Sequence, residues 1–160
     1  MCGKILSKRL DWELLDTDEY LKDVQRMSIS DIFEKKGESF FRLQELKILK
    51  GLLQKENIIV STGAGLPEIE GCLEIMKSNG IVIWLKASAK VIERRLYDED
   101  KSHRPLLFNK KESLTINLEK QLEKRYPIYS SADFIINTDD KGPDSVSLEI
   151  CDILGYKNDK

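Results

Sequence analysis

Short apolar runs that are typical of buried strands alternate with longer segments of helical periodicity along this chain of 160 residues. The clearest run is Ile81–Leu85, and its unbroken apolar character fits a parallel strand covered on both faces. A second run, Asn57–Val60, leads into the glycine turn Gly63–Gly65. This alternation predicts an α/β fold, with a parallel sheet and helices on both faces.

The other elements follow from apolar periodicity and from residues that start or stop helices. Ser28 or Ser30 is a candidate N-cap, and Gly37 interrupts the helical pattern that follows. Proline is favoured in the first helical turn, so Pro67 is a candidate helix start. The predicted helices are Gly3–Leu10, Asp18–Gln25, Ser28–Lys36, Glu38–Gln54, Pro67–Ser78, Ser88–Tyr97, Ser113–Arg125 and Pro143–Leu154, and the further strands are Glu13–Leu15 and Phe134–Ile136.

Size and composition predict one cytoplasmic domain over residues 1–160. The formal net charge of −2, with no basic arm or acidic tail, argues against nucleic acid or a membrane as the main partner. Cys2, Cys72 and Cys151 are isolated from one another, which suits reduced thiols better than disulfides or a zinc site. The sequence contains no apolar run of membrane-spanning length and no secretory leader pattern.

Three polar clusters lie at predicted strand ends, where open α/β sheets bind their ligands. They are Asp16–Asp18, Thr62–Gly65 and Lys86–Ser88. Because the carboxyl ends of parallel strands share one edge of the sheet, we expect a single site there. Trp12 and Trp84 are most simply core residues.

Each cluster also has a purely structural interpretation. Asp16 and Asp18 suit the start of a helix, where carboxylates accept hydrogen bonds from free N–H groups. Arg42 and Glu45 could form a solvated pair one helical turn apart, worth a few tenths of a kcal/mol. The Gly63–Gly65 turn either brings backbone N–H groups close to a ligand or simply permits positive φ.

Taken together, the clusters resemble the shikimate kinase family across nearly the whole chain. The resemblance rests on Asp16-Thr17-Asp18, on Gly37-Glu38-Ser39-Phe40-Phe41-Arg42 and on Ser61-Thr62-Gly63-Ala64-Gly65. Two further matches are Arg104-Pro105-Leu106-Leu107 and Lys124-Arg125-Tyr126-Pro127. The resemblance implies a P-loop-kinase-like monomer that uses ATP to phosphorylate the 3-hydroxyl of shikimate, which is a step of aromatic amino-acid biosynthesis.

The resemblance also implies a role for each matched residue. Asp18 orients and deprotonates the substrate hydroxyl, and Asp16 lies near the water shell of Mg²⁺. Glu45 holds the Arg42 guanidinium in place, and Arg104, in a mobile lid over residues 98–112, reaches the transferring phosphate of ATP. Either Arg94 or Arg95 faces the adenine, and His103 is lid surface. The substrate shikimate is bound by Asp18, Arg42, Gly63, Ala64, Gly65 and Arg125.

One part of the family pattern is absent from these 160 residues. P-loop kinases hold ATP with the sequence Gly-x-x-x-x-Gly-Lys-Ser/Thr, which occurs nowhere in this chain. Alignment with the family places Met1 after that loop, so we expect the sheet to lack its first, central strand. A start codon assigned too far downstream is the favoured explanation. The alternatives are a truncated, non-catalytic shikimate-binding remnant, or another small-molecule P-loop kinase acting on gluconate or a nucleotide.

Overall fold

The structure is a computed structural model that describes residues 1–97 and 113–156. The predicted lid over residues 98–112, with Arg104 and His103, lies outside the described residues. The described helices are α1 (Cys2–Leu10), α2 (Thr17–Gln25), α3 (Ile29–Leu52), a 3-10 helix (Leu66–Glu68), α4 (Cys72–Asn79), α5 (Ala89–Tyr97), α6 (Leu114–Tyr129) and α7 (Pro143–Ile153). The described strands are β1 (Glu13–Asp16), β2 (Ile58–Ser61), β3 (Ile83–Lys86) and β4 (Phe134–Asn137).

The strands form two parallel pairs. Strand β1 pairs with β2, with Asp16 opposite Ser61, and β3 pairs with β4, with Lys86 opposite Asn137. Among the described residues no strand joins β2 to β3, and a cavity of about 1160 Å³ lies between them. The predicted α/β class is confirmed, and the sheet is interrupted where a central strand was expected to be missing.

Helices cover both faces of the strands. On one face, Ile59 and Ile83 pack into a cluster with Leu6 of α1 and Ile150 of α7. On the other face, Trp84 makes edge-to-face contacts with rings of α6 at centroid distances of 5.5 and 5.7 Å. No helix in the described ranges combines the length and the apolar character needed to cross a membrane.

Several predicted elements differ in detail from the observed ones. The helix predicted from Pro67 through Ser78 is wrong: a 3-10 turn ends at Glu68, and Gly71, with φ 73°, separates it from α4. Gly37, at φ 81° and ψ 166°, kinks α3 as predicted, and Ser28 is its N-cap. Helix α6 continues beyond Arg125 to Tyr129 and contains Pro127, although a proline inside a helix removes one intrahelical hydrogen bond.

Strand β3 departs most from expectation. The strand predicted over Ile81–Leu85 is observed over Ile83–Lys86, and Ile81 and Leu85 are 55% and 41% exposed although helices cover both faces of the strand. Trp12 and Trp84 are also only partly buried, although both were expected in the core. The three cysteines are free thiols, and burial raises the pKa of Cys72 to about 11.

Candidate active site

The first carboxylate cluster lies where β1 ends and α2 begins. Asp16 is the N-cap of α2, and its Oδ1 accepts hydrogen bonds from the backbone N–H groups of Asp18 and Glu19 at 3.1 and 3.2 Å. The capping interpretation of Asp16 therefore holds. Asp18 occupies the first turn of α2, so its position is fixed by both the strand end and the cap.

Thr17, between the two aspartates, connects α2 to the glycine turn. Its side chain is fully buried, and its hydroxyl oxygen accepts a hydrogen bond from the Gly63 N–H at 3.0 Å. The same hydroxyl donates to the Ser61 carbonyl at 3.4 Å. These two contacts hold the Gly63–Gly65 turn against the start of α2.

Close approach, rather than positive φ, explains the two glycines of the turn. A Cβ added to Gly63 would lie 2.5 Å from Glu45 Oε1 and 2.9 Å from Asp18 Oδ1. A Cβ on Gly65 would collide with the guanidinium carbon and both terminal nitrogens of Arg42. Ala64, between them, is exposed and is not among the residues with positive φ, so its Cβ causes no backbone strain.

Arg42 lies flat against Gly65 because two carboxylates of its own helix hold it. Its Nη1 donates to Glu45 Oε2 at 2.7 Å, and its Nη2 donates to Glu38 Oε1 at 3.1 Å. The guanidinium also lies 5.4 Å from the centroid of the Phe41 ring. A planar cation fixed in this way is suited to binding a carboxylate.

Glu45 is fully buried at the centre of this group. Desolvation raises the pKa of its carboxyl above the ordinary value, against the opposing effect of Arg42, and the nearby charge of Asp18 raises that pKa further. Its Oε1 accepts no hydrogen bond from any residue of 1–97 or 113–156. The Arg42–Glu45 pair is therefore not solvated on the Glu45 side, and Glu45 Oε1 faces Asp18 across Gly63.

Arg125 approaches the same turn from α6. Its Nε donates to Glu68 Oε1 at 2.7 Å, and Lys124 contacts the other oxygen of Glu68 at 3.0 Å. Tyr129, one helical turn after Arg125, donates its hydroxyl to the Ala64 carbonyl. Burial raises the pKa of Tyr129, and the charges of Arg42 and Arg125 partly oppose this rise.

The structure brings all six residues predicted to bind the substrate into one cavity. Its lining includes Asp16, Asp18, Arg42, Glu45, Gly63, Ala64, Gly65 and Arg125. Of the two arginines predicted near the adenine, Arg95 is hydrogen-bonded to Thr138. Its Nη1 donates to the Thr138 hydroxyl at 3.0 Å, and its Nη2 donates to the Thr138 carbonyl oxygen at 2.5 Å. Arg94 is exposed and does not line the cavity.

A cation bound by protein groups alone has little support within the described residues. They contain no group of three or more His, Cys, Asp or Glu side chains that could hold a metal ion. Mg²⁺, however, commonly keeps several waters and uses one or two carboxylates together with substrate phosphates. One oxygen of Asp16 caps α2, so its other oxygen is the part of the side chain suited to a metal-bound water.

Three residues that position the site escaped the sequence interpretation. Thr17, Glu68 and Tyr129 were named only as parts of longer segments or not at all. Their contacts with Gly63, Arg125 and Ala64 span 46, 57 and 65 residues of the chain. The proximity of Pro67-Glu68 to the glycine turn was the one available signal.

Comparison with known proteins agrees with this geometry. A family model described as shikimate kinase matches residues 1–154. The shikimate kinase of Sulfurihydrogenibium sp. (strain YO3AOP1) is 39% identical over 150 residues, which cover 92% of this chain and 86% of the relative. The shikimate kinase of Aquifex aeolicus (strain VF5) is 38% identical over 148 residues, covering 92% and 84%.

Solved structures give the same result. Shikimate kinase from Acinetobacter baumannii, in complex with shikimate, matches with a TM-score of 0.89 and 29% identity, covering 99% of this chain and 87% of that one. The crystal structure of shikimate kinase from Aquifex aeolicus has a TM-score of 0.78 and 35% identity, covering 96% and 87%. The chain with the Arg42–Glu45 pair beside its glycine turn therefore belongs to the shikimate kinase family.

Proposed function

We propose that this protein binds shikimate and transfers the γ-phosphoryl group of ATP to its 3-hydroxyl, a step of aromatic amino-acid biosynthesis in the cytoplasm. The supporting observation is the arrangement around the glycine turn. Arg42 lies on Gly65, and the carboxylates of Asp18 and Glu45 meet at Gly63. We propose a monomer, with shikimate and ATP as its partners.

The two arginines bind the carboxylate of the substrate. Arg42 is held in position by Glu45 and Glu38, and Arg125 by Glu68, so neither has to be ordered when the substrate arrives. This lowers the entropic cost of binding. Backbone groups of Gly63, Ala64 and Gly65 complete the pocket between them.

Asp18 is the group that orients the attacking hydroxyl and accepts its proton. A carboxylate within hydrogen-bond reach of a hydroxyl contributes about 10²–10⁴ in rate. The charge of Asp18 in turn contributes to the raised pKa of the nearby Glu45 carboxyl.

On the nucleotide side, Arg104 is proposed to neutralise charge on the transferring phosphoryl group, and it lies outside the described residues. Asp16 would hold a water of the Mg²⁺ that accompanies ATP, and such an ion neutralises charge developing on the phosphates. The 160-residue sequence contains no Gly-x-x-x-x-Gly-Lys-Ser/Thr segment. We therefore expect these 160 residues alone to bind shikimate and to turn it over negligibly.

Calorimetric titration of the 160-residue chain with shikimate, gluconate and nucleoside monophosphates tests the substrate assignment. We expect saturable binding of shikimate alone. Arg42→Lys should weaken that binding about 10–100-fold, because a lysine cannot make the bidentate contact and a charged hydrogen bond is worth about 1.5–3 kcal/mol. Arg26→Lys, at an exposed position after α2, is the matched control and should change nothing.

A coupled ATP assay tests the reaction itself. The chain should be inactive alone and active when a strand and a phosphate-binding glycine loop are added before Met1. Preferential binding of gluconate or a nucleotide, or unchanged shikimate affinity in Arg42→Lys, would contradict the proposal.

A further inference from the structure

Arg42 and Arg125, the two arginines of the candidate site, differ in how many of their nitrogens are already bonded. All three guanidinium nitrogens of Arg42 donate to carboxylates of its own helix, with Nε bonded to Glu38 Oε1 at 3.3 Å. Arg125 is bonded through Nε alone, to Glu68 Oε1 at 2.7 Å. No acceptor in residues 1–97 or 113–156 is bonded to its two terminal nitrogens. Arg125 therefore keeps its whole terminal edge for a ligand.

Glu68 is held in place by the backbone that follows the glycine turn. Its N–H donates to the Gly65 carbonyl at 3.1 Å, at the end of the 3-10 helix. Leu66 anchors this short helix, because its side chain is fully buried. Pro67 restricts the backbone further, since its ring fixes φ. The Glu68 carboxylate thus extends from a rigid part of the site.

A second contact fixes α6 against the same turn. The Tyr129 hydroxyl donates to the Ala64 carbonyl, and the Tyr129 ring packs edge-to-face on Trp84 at a centroid distance of 5.5 Å. Tyr129 lies one helical turn after Arg125, so the two residues share one side of α6. The position of the Arg125 backbone relative to Glu68 is therefore held by a contact other than their own ion pair.

The Glu68–Arg125 pair is shielded from solvent. The side chains of Arg125 and Glu68 are only 17% and 18% exposed, whereas Lys124, the other partner of Glu68, is 77% exposed. Desolvation acts to raise the pKa of Glu68, but the hydrogen bonds from Arg125 and Lys124 hold that pKa below its ordinary value. Glu68 is therefore ionised at neutral pH, and its bond to Arg125 is charge-assisted.

The Nε contact decides which edge of the guanidinium is offered to a ligand. A carboxylate can make a bidentate contact with the two terminal nitrogens, or with Nε and one terminal nitrogen. Glu68 occupies Nε, so only the terminal edge of Arg125 stays available. Because Arg125 lines the cavity of the candidate site, a carboxylate that enters this cavity meets that edge.

We propose that Glu68 is a positioning residue for substrate binding, which holds Arg125 through Nε so that its two terminal nitrogens meet the substrate carboxylate. This inference rests on the proposed function, since it takes shikimate as the ligand that carries the carboxylate. Without Glu68 the guanidinium is free to rotate, and ordering it when the ligand binds costs affinity. Glu68 acts only through Arg125.

Charge alone predicts the opposite effect. Glu68 places a negative charge beside the guanidinium that binds the substrate carboxylate, and like charges repel. If repulsion were the main effect of Glu68, removing its charge would strengthen the binding of shikimate. The direction of the change in affinity therefore separates positioning from repulsion.

Titrations of the 160-residue chain with shikimate, followed by NMR, measure this direction. Glu68→Ala removes the acceptor of Arg125 Nε and should weaken binding about three- to tenfold, as expected for one side chain that must be ordered. Glu68→Gln keeps an oxygen for Nε without the charge, and its affinity should stay within about twofold of the wild type. Glu70→Ala removes the same charge at an exposed position nearby and is the matched control, which should change nothing.

The Nε–Hε signal of Arg125 tests the positioning without any ligand. This signal is assigned by its absence in Arg125→Lys, and the corresponding signal of Arg42 is the internal reference. Glu68→Ala should shift the Arg125 signal and speed the exchange of its proton with water, because the acceptor is lost. Glu68→Gln should largely preserve the signal, and neither variant should change that of Arg42.

Four results would overturn the inference. They are unchanged or tighter shikimate binding in Glu68→Ala, an equal loss of affinity in Glu68→Gln, an equal loss in Glu70→Ala, and an Arg125 signal that Glu68→Ala leaves unchanged. A wild-type chain that binds no shikimate would instead contradict the proposed function. The Arg125 signal would then still decide whether Glu68 holds the guanidinium.

Discussion

Gly65 lies where the backbone must leave room for a guanidinium. A Cβ there would collide with Arg42, so Gly65→Ala forces the arginine away from the turn and from its bond to Glu45. We expect the affinity for shikimate to fall at least tenfold, as measured by calorimetry. The expected loss corresponds to about one charged hydrogen bond.

Ala64→Gly is the matched control for that change. Ala64 is exposed and has no positive φ, so removing its methyl group opens no contact in the pocket. Shikimate affinity should stay within about twofold, while the free energy of unfolding falls by about 0.5–1 kcal/mol through added flexibility of the unfolded chain. Equal losses of affinity in the two variants would show that turn flexibility, rather than the Arg42 contact, matters.

The buried Glu45 carboxyl predicts a pH dependence of stability. Its pKa is raised by burial above the ordinary 4.5, so the unfolded chain releases this proton at lower pH than the folded chain does. Between 4.5 and the raised pKa the folded state holds more protons, and stability contributed by Glu45 is lost as pH rises. Glu45→Gln keeps an acceptor for Arg42 and removes this titration.

Urea unfolding of both chains at a series of pH values measures the effect. The difference in unfolding free energy, wild type minus Glu45→Gln, should decrease as pH rises from 4.5 and become constant above the raised pKa. Groups that titrate in both chains cancel in this difference when they do not interact with residue 45. A difference that increases with pH would mean that pairing with Arg42 outweighs burial.

At the scale of elements, Thr17 joins α2 to the turn after β2. Thr17→Val keeps the shape of this fully buried side chain but removes the hydrogen-bond acceptor of the partly buried Gly63 N–H. We expect a loss of about 1–3 kcal/mol of unfolding free energy and weaker shikimate binding. Thr17→Ser keeps the hydroxyl and should retain most of the affinity.

A second control separates this role from a general effect of losing a hydroxyl. Thr115 of α6 donates to Glu93 at 2.7 Å away from the turn, and Thr115→Val should leave shikimate binding unchanged. Denaturation and calorimetry on the three variants give both quantities. If Thr17→Val binds shikimate as tightly as the wild type does, the turn is held by its other contacts.

Local sequence signals predicted where the helices and strands lie better than they predicted which residues of different elements contact one another. Ser28 as a cap and Gly37 as an interruption follow from propensities that act within a few residues. The prediction of one helix from Pro67 through Ser78 was wrong because Gly71 adopts a positive φ. A proline that favours a helix start gives no information about that later residue. The Glu68–Arg125 bond joins residues 57 apart, and no pattern in a single sequence encodes such a distance.

At the scale of the whole molecule, the interrupted sheet predicts uneven protection of the backbone. In a parallel strand, N–H groups alternate between its two edges, so β2 and β3 each direct half of theirs to a paired neighbour and half to the cavity. Amides bonded to β1 or β4 exchange through opening of the pair. Amides facing the cavity exchange through water that enters it.

Hydrogen exchange followed by NMR on the 160-residue chain measures this alternation. We expect protection factors to alternate by at least about tenfold along residues 58–61 and 83–86, since local access costs less free energy than opening a strand pair. The amides of α1 and α7, which pack on each other beside these strands, provide an internal reference for the stability of the surrounding fold. Uniform protection along both strands would mean that β2 and β3 close on each other in solution, and the interrupted sheet would then not describe the protein.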